Sequence, residues 1–213
     1  MGLTIHFELR LPGSTPESEV DLRLGRLREQ AEKMPFEFVA PLAFGQATIN
    51  DSDFLEIITS LIAEPMEGDI PPMSGDPSTT RAMLLSPGDG CEPAHFGFLR
   101  RSDESGAESE WYWRCHCKTQ YASNVSDEHF VSCHTMLVEL LDYAITLGIQ
   151  VTVHDETDYW EHRDQVKLLE SLSAMNHLMA AFAGRLADLM GPERSLEASI
   201  FEHPRFEHLE MGE

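Results

Sequence analysis

Residues Thr4 to Arg10 alternate, with Ile5, Phe7 and Leu9 on one side and Thr4, His6 and Glu8 on the other. A period of two is the mark of a half-buried strand. Gly13-Ser14-Thr15-Pro16-Glu17 then interrupts the pattern, and Thr15 as N-cap with Pro16 at the first helical position predicts a helix start. Val20, Leu24, Leu27, Ala31 and Met34 recur at helical spacing, so residues 16–34 read as an amphipathic helix. Phe38 to Phe44 reads as a second strand, and Phe54, Ile57, Ile58, Leu61 and Ile62 suggest a short helix opened by Asp51 or Ser52.

Residues 64–80 are rich in Pro, Gly and acid without periodicity, which predicts a mobile loop. A strand near 81–86 follows, then a turn at Pro87-Gly88-Asp89-Gly90. Segments 94–101 and 110–118 read as the arms of a hairpin joined by the polar tip Ser102–Glu110. Ser126 or Asp127 can cap a helix whose buried stripe is Phe130, Cys133, Leu137, Leu140, Ala144 and Leu147, stopped by Gly148. Ile149 to Glu156 reads as a strand. Asp158 and Glu161 have the spacing of a capping box opening a long helix, 159–190, ended by Gly191-Pro192.

Hairpins beside helical crossovers predict an α+β fold, with a mixed sheet of about five to six strands packed on about three to four helices. No interior linker divides residues 1–191, which are read as one domain. Residues 192–213 are read as a tail packed on the domain or on a partner; its echo of Phe201-Glu202-His203 in Phe206-Glu207-His208 is too short to be a repeat.

Charge narrows the partners. With 15 basic against 37 acidic residues the formal charge is −22, which disfavours a nucleic-acid backbone and an anionic membrane surface. The acid is spread along the chain, so it serves solubility or draws a basic protein partner. Self-association and a small ligand also remain open. The first residues lack the basic and apolar regions of a secretory signal, and no window of 18 apolar residues spans a bilayer. A cytoplasmic location is therefore expected, with Cys91, Cys115, Cys117 and Cys133 as thiols or metal ligands rather than disulfides.

Three groups of residues could carry chemistry. The first is Cys115, Cys117, His129 and Cys133, whose spacing is close to that of small zinc modules. Two ligands separated by one residue on a strand sit about 6.5–7 Å apart, so the strand would have to bulge for one ion to reach both. The alternative is core packing, since Trp111, Trp113, Cys115 and Cys117 share a strand face and Cys133 lies on a buried helical stripe. The second group is the opposite strand face, where parity collects Thr4, His6 and Glu8, Arg114, His116 and Lys118, and Thr152, His154 and Glu156. Imidazoles beside carboxylates and bases can bind a small ligand, hold a metal or exchange protons. An ordinary solvated sheet face is the alternative. The third group, from His154 to His162, lies at a strand-to-helix junction and adds nothing beyond His154 and Glu156.

No phosphate-binding glycine loop, dinucleotide fingerprint, H-E-x-x-H or G-x-S-x-G is present in the sequence. The expected function is a protein-interaction or small-ligand-binding domain. The alternative is a metal-dependent or histidine-based enzyme using His6, His116, His154 and Glu156, or a zinc site at the cysteines.

Overall fold

A computed structural model describes residues 2–45, 76–101, 110–190, 199–204, 206 and 209. The alternation at the N-terminus becomes β1 (Thr4–Leu11), which pairs with β6 (Glu110–Lys118) on one side and β7 (Gln150–Asp155) on the other. The remaining strands are β2 (Phe38–Val39), β3 (Ala43–Phe44), β4 (Asp76–Ser86) and β5 (Ala94–Arg101). Among the described residues the strands form a seven-stranded sheet in the order β2-β4-β5-β6-β1-β7, with β3 also on β4.

The α+β class is as expected. The sheet is antiparallel in every pair of described strands, where a mixed one was anticipated. The reason lies in the crossover from β6 through α2 (Asp127–Thr146) to β7. Those two strands run parallel, as a helical crossover requires, but β1 is inserted between them and is antiparallel to both.

α1 (Glu17–Ala31) and α2 cover one sheet face. Val20, Leu24, Leu27 and Ala31 of α1 and Leu137, Leu140, Leu141 and Ala144 of α2 pack with Phe7, Leu9, Phe96, Phe98, Trp111 and Trp113 in one core. Phe7 and Phe96 stack with ring centroids 4.7 Å apart although β6 runs between their strands. Cys115, opposite Phe7, is small enough to let the rings meet over it.

Several boundaries differ from the sequence reading, each for a local reason. Residues 76–80, read as loop, extend β4, and residues 64–75 and the helix around Phe54–Ile62 lie outside the described residues. The strand from Phe38 to Phe44 is two short segments that both pair with β4. α1 is capped by Pro16 rather than Thr15, whose carbonyl accepts from Trp111 Nε1. Ser126 caps α2 as anticipated, accepting from the His129 amide, and Gly148 ends the turn after it at φ +73. The long helix at 159–190 is broken into α3 (Tyr159–His162) and α4 (Gln165–Met190). Asp158 makes no capping bond, Arg163 takes a left-handed conformation, and the Asp164 carboxylate accepts from the Val166 and Lys167 amides to start α4.

α4 packs through Leu168 and Leu172 against Leu3, Ala122, Phe130 and Cys133. Farther along, Ala180 and Ala183 bury Ile200 and Leu209. No helix among the described residues is long and apolar enough to cross a membrane.

Candidate functional site

The face of β6, β1 and β7 turned away from the helices carries the polar residues that parity selected. Along β6, Trp111, Trp113, Cys115 and Cys117 are buried while Arg114, His116 and Lys118 are half-buried. Register then aligns the three strands. His6 stands opposite His116 on one side and His154 on the other, and Glu8 stands between Arg114 and Thr152. The His6 ring centroid lies 5.8 Å from that of His116 and 5.9 Å from that of His154. Three imidazoles therefore run in a row across the strands, with His6 in the middle.

A fourth histidine adjoins the row. His95 alternates with Phe96 and Phe98 of the core, and the β5–β6 ladder stops at Leu99 opposite Tyr112. Beyond that point the His95 amide donates to Cys115 Sγ at 3.3 Å and its carbonyl accepts from Trp113 Nε1 at 2.9 Å. The His95 ring is buried, and its Nε2 has no hydrogen-bond partner among the described residues. Burial, reinforced by the His116 imidazole, lowers its pKa to about 4.

The carboxylates on this face have partners. Glu8 accepts from Arg10 Nη2 and from the Tyr112 hydroxyl, each at 2.9 Å, while Arg10 also reaches Glu110. Burial alone would raise the Glu8 carboxyl, but the bonds from Arg10 and Tyr112 outweigh it and lower the pKa. Tyr112 is pushed up to about 12 by burial and by its bond to Glu8. Glu156 accepts from the Thr4 amide at 2.9 Å, and its own amide donates to the Thr4 carbonyl at 3.2 Å, so it is tied to the edge of the row. Glu92 stands 3.6 Å from His116 Nε2 and accepts from the Lys118 amide. The His6 ring contacts those of His116 and His154. Burial holds His6 toward its neutral form, His116, His154 and Arg114 push the same way, and Glu156 opposes them.

Beneath the helices lies a polar cluster that the sequence reading missed. His134 Nε2 is 3.1 Å from Asp155 Oδ2, and His134 Nδ1 is 2.9 Å from Thr119 Oγ1. Asp155 also accepts from the Thr157 amide and hydroxyl and from the Trp160 amide. Burial would raise the Asp155 pKa, but the bond and charge of His134 and the Thr157 bonds bring it to about 2. An ionised carboxylate only accepts, so His134 Nε2 carries the proton between them. An acid, an imidazole and a hydroxyl in series have the order of a nucleophilic relay, but Thr119 and His134 are fully buried among the described residues. What the cluster does is fasten the end of β7 and the start of α3 to α2. His134 was legible as the residue one turn from Phe130 on the buried stripe of α2, and Asp155 as the odd-parity residue beside His154.

The proposed zinc set is not gathered at one centre. Cys115 Sγ contacts His95 and donates to the His116 carbonyl, while Cys117 Sγ donates to the Glu92 carbonyl at 3.0 Å. His129 and Cys133 do meet, with Nε2 and Sγ 3.6 Å apart. Burial raises Cys115 to about 11 and raises Cys117 as well, the state of thiols packed as small apolar groups. No group of three or more His, Cys, Asp or Glu side chains among the described residues is placed to hold a metal ion.

His6, Glu8, Arg114, His116, His154 and Glu156 are thus brought onto one face, whereas Cys115 and Cys117 are turned into the core away from it. The chain matches no protein-family model, no curated protein and no solved structure.

Proposed function

We propose that the protein is a binding domain whose open sheet face, centred on His6, takes a small polar ligand that is neutral or cationic. The observation behind this reading is the register that lines up His116, His6 and His154 on adjacent strands. His116 and His154 flank His6 from opposite sides, so across strands about 4.8 Å apart they stand on the order of 10 Å from each other. Such a row favours binding along its length over proton transfer at one point, which needs groups converging on a shared atom. His6 favours its neutral form, so it offers a nitrogen lone pair and an N–H rather than positive charge. The net charge of −22 attracts cations and repels anions at long range.

The test is to follow the imidazole Cε1–H resonances of the full chain near neutral pH during separate titrations with glycine and spermidine, with citrate as the anionic control. At least one of the first two should shift the His6, His116 and His154 signals together and saturably at or below the order of 10 mM. His6→Ala should abolish the shift, and His162→Ala on α3 should leave it intact. No coincident shift with any of them, or a response to citrate alone, would overturn the reading.

A further inference from the structure

β7 is the outermost strand of the sheet, and among the described residues no strand pairs with its far side. The Glu156 amide donates to the Thr4 carbonyl, and the register sets His154 opposite His6 and Thr152 opposite Glu8. Backbone groups alternate in direction along a strand, so Gln150, Thr152 and His154 point theirs at β1. Val151 and Val153 therefore aim theirs outward from the edge. Their side chains are half-buried against the core, while those of Gln150, Thr152 and His154 are exposed on the open face. Asp155 ends the free edge, because its carbonyl accepts from the Asp158 amide at 3.0 Å.

Free edges are ordinarily blunted by lysine, proline, a bulge or an inward charge. Gln150 to His154 has none of these, and its register with β1 runs without a shift. In a chain with 37 acidic residues, an edge free of carboxylates suits a second copy better than a basic strand. The segment is also self-complementary about Thr152. Antiparallel pairing on a two-fold axis there sets Thr152 against the second copy's Thr152, and Gln150 against the second copy's His154. Val151 and Val153 then exchange backbone bonds with the second copy's Val153 and Val151. Branched side chains meet on the helix side and hydroxyls on the open side, both favourable cross-strand pairs. Ile145, 47% exposed, lies about three turns beyond His134 on the side of α2 that faces β7, and adds apolar surface beside the joint.

We infer that two copies of this chain pair antiparallel through β7, joining their sheets across a two-fold axis at Thr152. The two open faces become continuous, and the second copy's Gln150 stands beside His154 at the end of the histidine row. The pairing is independent of the ligand reading, since it rests on backbone direction and on the side chains of residues 150–154. So short a joint lies at the weak end of specific interfaces, with a Kd on the order of 10–100 μM. The charge of −22 on each copy opposes association, so added salt tightens it.

Sedimentation of the full chain at up to about 500 μM should show a reversible species of twice the 24.0 kDa monomer mass. Its Kd should fall about tenfold between about 0.05 M and about 0.5 M salt. Hydrogen exchange identifies the surface. The Val151 and Val153 amides should gain several-fold protection from dilute to concentrated protein, while the Thr152 and His154 amides, bonded to β1, stay protected in both. Thr152→Glu sets like charges directly opposite and should abolish the dimer. Leu178→Glu adds the same charge at an exposed site on α4 and should leave the dimer intact. A chain that stays monomeric, a dimer whose Val151 and Val153 amides exchange as in the monomer, or one dispersed by salt would overturn the inference. All three outcomes are read on the wild-type chain, so they do not depend on how a variant folds.

Discussion

The Asp155 carboxylate meets His134 Nε2 at 3.1 Å with neither side chain exposed to solvent. Removing a buried acceptor leaves its donors unsatisfied at about 1–3 kcal/mol each, or about 3–5 kcal/mol in all where several lose their partner together. Asp155→Ala should fall in that range, because the Thr157 and Trp160 amides lose their acceptor as well. Asp155→Asn keeps the shape and one acceptor oxygen, and should cost about 1–2 kcal/mol. The pH dependence has a definite sign. The Asp155 pKa is about 2 in the folded chain against a usual 3.8, so its stabilisation is present above the usual value and is lost as pH falls toward 2. Urea unfolding from pH 5 to pH 2 should show this loss in the wild type and not in Asp155→Asn. Equal slopes in the two proteins would show that the carboxylate is not the group responsible.

A second pH effect belongs to His95, in a higher window. Its pKa falls from 6.5 to about 4, mainly through burial, so the folded chain resists a proton that the unfolded chain accepts. Stability is complete above the unfolded value and is lost as pH drops through that interval. The loss between pH 7 and pH 5 comes to about 2 kcal/mol. His6 contributes in the same direction, so the wild-type slope contains both. His95→Leu removes the titrating ring together with its unpartnered Nε2, and should flatten the His95 share of the slope. Chemical denaturation of both proteins at pH 7 and pH 5 measures it. A stability difference between them that is the same at both pH values would refute the assignment.

Side-chain parity was the most legible feature of the sequence. A strand with indoles and thiols at odd positions and imidazole and guanidinium at even ones has one way to sit on a core, and Trp111–Lys118 sits that way. Parity does not carry strand order. The insertion of β1 between β6 and β7 is what turns three separate histidines into a row, and it depends on pairings between segments more than 100 residues apart. The zinc spacing of Cys115, Cys117, His129 and Cys133 carries linear distance only: the first pair faces the aromatic core while His129 and Cys133 face the turn at Gly88. The long helix at 159–190 was read from the spacing of Asp158 and Glu161 and the stop at Gly191-Pro192. The left-handed Arg163 interrupts it, and it is not a glycine whose identity would have marked the break.

The last prediction concerns how α1 is held to the sheet. Arg81 projects from β4 with its side chain only 10% exposed, and hydrogen-bonds to Glu17 and Asp21 of α1. Its guanidinium also lies 5.1 Å from the centroid of the Trp111 ring. The two carboxylates are much more exposed than the arginine, so losing Arg81 returns them to water and does not strand them. The cost is accordingly smaller than for the buried Asp155 pair. Arg81→Lys keeps the charge but cannot supply the planar fork that reaches two carboxylates while lying against an indole. It should destabilise by about 1 kcal/mol, and Arg81→Met, which keeps much of the apolar stem, by about 2 kcal/mol. Raising salt to about 1 M should narrow the gap between wild type and Arg81→Met only partly, because screening acts on the exposed carboxylates and leaves the ring contact in place. Urea titrations of the three proteins at low and high salt decide it: a gap that vanishes at high salt would reduce Arg81 to a surface ion pair.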